Sequence, residues 1–149
     1  MQSTEDAKRS RYEIRSVDTD LAVLIVSTVS ELGGGLELWV AFGTVKDFRL
    51  IAVHEIAESL GPMRCYALPR FHSLTGCDAT SYFQHIGKRT AWKIWKLSDM
   101  LTTALCSLRK DPKNLQDSIL HTVKRFYSFC SITGPAVLNA LMRHEETCL

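Results

Sequence analysis

The sequence predicts an incomplete α/β fold, a small sheet followed by helices, and three observations lead there. Residues 11–17 and 36–42 alternate apolar with other side chains at the period of two that strands require. Between them, residues 21–32 form an apolar run long enough for a helix. Ala91, Ile94 or Trp95, Leu97, Leu101, Leu105 and Leu108 recur at steps of three and four, the spacing of an amphipathic helix.

Each element follows in order. Residues 1–10 are polar and charged and read as a loose tail. In 11–17, Tyr12, Ile14 and Val17 alternate with charged residues and predict a strand ending at Asp18-Thr19-Asp20. Asp18 or Thr19 suits the N-cap of the next helix, although the β-branched Val23, Ile25, Val26 and Val29 also suit a buried strand. Three glycines at 33–35 end that element. Residues 36–42 and 48–53, joined by a turn, read as a β-hairpin. A short helix over 54–61 closes at Gly61, with His54 as the candidate cap at its start. Pro62 restarts the chain, and 63–74 is helical with a kink or split at Pro69. Residues 75–87 read as loop. One amphipathic helix then runs from Lys88 to a break at Pro112, and two more are expected near 114–130 and 135–146. The expected partition is a tail at 1–10, a partial α/β domain at 11–98 and a helical segment at 99–149.

The chain has 149 residues, 46% hydrophobic and 23% charged, which suits one globular core. The formal net charge is +2, so any nucleic-acid reading rests on local charge. The five cysteines are scattered without a C-x-x-C, against a disulfide framework or zinc knuckle, and reduced thiols in an intracellular protein are expected. His72 with Cys77 is too sparse for a metal site or a thiol nucleophile. The start of the chain lacks secretory character, and no apolar run spans a bilayer. An intracellular protein, nuclear or cytoplasmic, with no membrane partner is therefore expected.

Three features carry chemistry. Asp18 and Asp20 follow a predicted strand, and ligands of open α/β sheets bind beyond strand carboxyl ends. Two carboxylates one residue apart can share a divalent cation, and they also suit a helix cap. Asp78 is the one acidic residue between Glu58 and Asp99. With Arg64, Arg70, Lys88, Arg89, Lys93 and Lys96 around it, it reads as a salt-bridge partner or a further metal ligand. Gly87, Lys88 and Arg89 open a helix that also bears Lys93 and Lys96, a phosphate-binding surface or a solvated face. Of its tryptophans, Trp92 or Trp95 belongs in the core.

The stretches "SVDTDLAVL" and "TGCDATSYFQHIGKRTAWK" resemble the flap-endonuclease-like branch of the PIN-like nuclease superfamily. The longer pattern over residues 16–96 is similar to multicopy, transposon-linked animal proteins of that branch. The resemblance implies a PIN-like, Rossmann-like sheet with a helix-turn-helix element. It implies that Asp18, Asp20 and Asp78 hold Mg2+ or Mn2+ for phosphodiester hydrolysis. It also implies that Gly87, Lys88 and Arg89 grip a nucleic-acid backbone, DNA expected before RNA, and Lys93 and Lys96 add charge on the same helix for that binding. The family's first strand and acidic helix have no counterpart, and His85 replaces the first glycine of the turn. The expectation is therefore the C-terminal half of a nuclease, weak or inactive alone. Its exposed sheet edge would invite self-association or a missing N-terminal half. A binding-only module of nucleic acid or protein is the alternative.

Overall fold

The computed structural model describes residues 10–32, 36–44, 46–77, 87–113 and 115–132. The fold is α/β, with five helices and one three-stranded mixed sheet among these residues. The chain divides into two compact units, Met1–Pro69 and Arg70–Leu149. The expected boundary at 98–99 falls inside the second.

The first unit begins with β1 (Ser10–Ser16), α1 (Thr19–Val29) and β2 (Leu36–Phe42). β1 and β2 are parallel and in unbroken register, from Ser10 opposite Leu36 to Ser16 opposite Phe42. A parallel pair needs a crossover between its strands, and α1 is that crossover, packed on both. α1 resolves the ambiguity of its β-branched run in favour of helix. Asp18 caps it, and residues 19–29 bury Ile25, Val26 and Val29. β3 (Arg49–Ala52) returns antiparallel to β2, with Phe42 opposite Arg49, which completes the expected hairpin. Val40 and Ala41 are fully buried although they point to opposite faces, so both faces of the sheet are covered at its centre.

α2 (Val53–Leu74) leads out of this unit and into the second. Gly61 is its one residue with non-helical backbone angles, φ 74 and ψ 162, so the helix turns where the sequence places a stop. A side chain there would be strained by the positive φ, although nothing within 4 Å would obstruct it. The Cys65 thiol donates back across this turn to the Ala57 carbonyl at 3.4 Å. Pro69, expected to kink or split the helix, stays inside the helical span. His54 does not cap α2. It lies within the first turn, its Nδ1 3.0 Å from the Leu38 carbonyl of β2 and its ring edge-on to Trp39.

The second unit contains the end of α2, α3 (Lys88–Lys96), α4 (Asp99–Lys110) and α5 (Asp117–Ile132). Its core is aromatic. Phe71 stacks on Trp95 with centroids 4.2 Å apart, and Trp92 and Phe126 meet Phe71 edge-on. Leu101 and Leu105 of α4 are fully buried, and Tyr127 Oη donates to the Leu74 carbonyl at 2.6 Å. The single helix expected from Lys88 to Pro112 is two helices. Leu97 ends α3, and Ser98 adopts extended angles and accepts from the Leu101 N–H at 3.2 Å as the N-cap of α4. Leu97, assigned to the apolar stripe on spacing, is consequently 40% exposed. α5 starts at Asp117, three residues later than expected, and the helix expected at 135–146 lies outside the described residues.

Candidate metal and nucleic-acid sites

In the first unit, parallel pairing brings the carboxyl ends of β1 and β2 to the same end of the sheet. The Gly43 N–H donates to the Ser16 carbonyl at 3.1 Å and extends the pairing past both strands. Just beyond lies Asp18. Its N–H donates to Ser16 Oγ at 2.9 Å, and its Oδ1 accepts from the Asp20 N–H at 2.8 Å. The sequence left capping and metal binding open for this residue, and capping is what its geometry displays. The charge also complements the helix dipole, as does Asp20 in the first turn. Asp18 is exposed and Asp20 half-buried.

The turn from β2 to β3 adds a carboxylate that the motif reading passed over. Asp47 stands at this same end of the sheet, its N–H bonded to the Thr44 carbonyl at 3.0 Å. Gly43 makes the turn feasible. Its φ is 103, and a Cβ there would lie 2.3 Å from the Asp47 carbonyl oxygen. The signal was available in "FGTVKDFR", where a glycine opens a hairpin turn that ends in an acid.

Asp78 lies outside the described residues, so the meeting of Asp18, Asp20 and Asp78 is an expectation without geometry. Among the described residues, no group of three or more His, Cys, Asp or Glu is gathered as a metal site. Asp18 and Asp20 are nonetheless hard oxygen donors, of the type and number that Mg2+ commonly takes from protein.

The nucleic-acid candidates cluster in the second unit, on α3. Gly87 is its N-cap, with an ordinary φ of −71 and no side chain to occupy the first N–H groups. A Cβ on Gly87 would meet nothing within 4 Å, so the fold itself does not require glycine there. Ala91, Ile94 and Trp95 face inward and are buried. Lys88, Arg89, Lys93 and Lys96 fall within an arc of about 140°, taking 3.6 residues per turn. Lys88, Arg89 and Lys96 are exposed and Lys93 is half-buried. Trp92 belongs to the same arc, half-buried and edge-on to both Phe71 and Trp95. The core tryptophan is thus Trp95, with Trp92 at the border between core and cationic face.

Thiol chemistry has little support. Among the described residues, Cys65, Cys77, Cys106 and Cys130 form no disulfide. Burial pushes the thiols of Cys65 and Cys106 up and raises Cys130 to about 11, so these three stay protonated at neutral pH. Among the described residues no helix is long and apolar enough to cross a membrane. No protein-family model matches the chain, and no curated protein or solved structure shows significant similarity to it.

Proposed function

We propose that this chain is part of a PIN-like, flap-endonuclease-like nuclease, weak or inactive alone, whose working element is phosphodiester-backbone binding by α3. The carrying observation is the separation of α3 into two faces. Ala91, Ile94 and Trp95 fix the helix in the core, and Lys88, Arg89, Lys93 and Lys96 occupy the other side. The helix N-terminus, bare of a capping side chain, adds partial positive charge beside Lys88 and Arg89. Such a surface grips phosphates whatever the sequence of bases, and duplex DNA is the first ligand to try.

The test is duplex binding across a salt series. Each phosphate contact contributes about −0.9 to the slope of log K against log salt, so Lys88→Ala with Arg89→Ala should flatten it by roughly 2. An unchanged slope and affinity in that variant would remove α3 from the interface.

A second reading, catalysis, is favoured by the position of Asp18 and Asp20 beyond the carboxyl end of β1. Here Asp18, Asp20 and Asp78 would hold Mg2+ or Mn2+, and the metal when bound would supply Lewis-acid assistance to phosphodiester hydrolysis. Asp18 both caps α1 and belongs to this set, so Asp18→Asn is the informative change. Asparagine caps a helix as well as aspartate but carries no charge. Loss of calorimetric Mn2+ binding in stable Asp18→Asn and Asp78→Asn proteins supports the set. Undiminished binding in both removes it.

A further inference from the structure

β1 stands at an edge of the sheet, with β2 on one side and no described strand on the other. Edge strands are commonly shortened, bulged or broken by proline, which prevents pairing with another chain. β1 has none of these features. It runs seven residues in unbroken register with β2. The opposite edge, β3, has only four. Ser10, Arg11, Tyr12, Glu13 and Arg15 are exposed, Tyr12 by 55%.

The charges along this edge have a definite pattern. Arg11, Glu13 and Arg15 share one face of the strand, with Tyr12 and Ile14 on the other. Arg11 is already engaged, its guanidinium 5.3 Å from the centroid of the Trp39 ring. Glu13 and Arg15 are left as neighbouring same-face charges of opposite sign. A strand bearing such a pair is complementary to itself when turned antiparallel about the residue between them.

We infer that a second copy of this chain pairs with β1, antiparallel and centred on Ile14, so that two three-stranded sheets become one. In this register Glu13 faces Arg15 of the partner copy twice over, Ile14 faces its own equivalent, and Tyr12 faces Ser16. The neighbouring registers are poorer. Centring on Glu13 sets Glu13 against Glu13 and Arg11 against Arg15, and like charges directly opposite destabilise a pair. Centring on Tyr12 asks Glu13 to recruit the Arg11 that lies over Trp39. The inference is independent of the nuclease reading, because it uses β1 alone and neither α3 nor Asp18, Asp20 and Asp78.

Sedimentation equilibrium of the full chain tests it. The expected mass is twice 16.8 kDa. Glu13→Arg sets like charges opposite at both contacts and should weaken the dimer about tenfold or more. Combining Glu13→Arg with Arg15→Glu reverses every charge in place and should restore affinity to within about threefold of the parent, below half the energy of a tenfold change. A chain that stays monomeric into the hundreds of micromolar overturns the inference. So does a dimer indifferent to Glu13→Arg, or a double variant no tighter than the single one. These positions are exposed, and circular dichroism checks that the single variant stays folded.

Discussion

Thr102→Val isolates the contact that fixes α3 against α4. Trp95 is 1% exposed and Thr102 4% exposed, and the indole Nε1 donates to Thr102 Oγ1 at 3.0 Å. Valine has almost the same shape as threonine, so the substitution opens no cavity. It removes the acceptor and leaves the indole N–H buried without a partner. A stranded buried donor costs about 1–3 kcal/mol. The hydroxyl's own bond to the Ser98 carbonyl is long, 3.4 Å, and adds little. At roughly 2–4 °C per kcal/mol for a chain of this length, Tm should fall by about 2–12 °C. Urea unfolding with an unchanged m value would assign the loss to stability rather than to a changed denatured state. Thr103→Val is the internal control. Its hydroxyl bonds the Asp99 carbonyl at 3.1 Å on the exposed side of the same helix, and losing it should cost no more than about 0.5 kcal/mol. Equal stabilities for the two variants would refute the role given to the indole contact.

Two further predictions follow from local geometry. Gly43→Ala combines a φ of 103 with a Cβ 2.3 Å from the Asp47 carbonyl oxygen, so unfolding free energy should fall by about 2 kcal/mol or more, and a loss under roughly 0.5 kcal/mol would contradict the turn. Burial raises Tyr127 to about 12 and Cys130 to about 11, so in the alkaline range the folded state holds protons that the unfolded state releases. Their stabilising contribution is complete below pH 9 and lost as pH rises towards 12, and chemical denaturation should show a decline that is shallower in Tyr127→Phe.

The sequence was most readable where one periodicity acted alone. β2 was legible from its period-two pattern, whereas the β-branched run of α1 left helix and buried strand both open until the parallel pairing of β1 with β2 required a crossover there. The α3–α4 junction was misread because spacing alone cannot register a break that preserves phase. Ala91 and Ile94 before it and Leu101 and Leu105 after it are separated by three, seven and four residues, which keeps one helical face, and all are buried. The clue was Ser98 followed by Asp99, a cap and an acidic first turn inside an apolar pattern. His54 was misjudged for another reason. Its partner, the Leu38 carbonyl, is a sheet atom sixteen residues away, and no local pattern reports such a contact. For the candidate site, the cationic face of α3 was legible from spacing. Asp47 was not singled out, because only the parallel pairing of β1 with β2 brings the turn after β2 to the end of the sheet where Asp18 lies.

That pairing has a consequence for how the chain acquires its structure. Ser10 finds Leu36 only after the intervening residues have closed into a crossover, a distant contact with a large entropic cost of closure. The helices after Leu74 are joined by short connections, and neighbouring ones pack on each other. Local topology speeds folding and distant strand pairing slows it. In refolding from denaturant, the later half of the chain should therefore order first, with the sheet of the earlier half setting the slow phase.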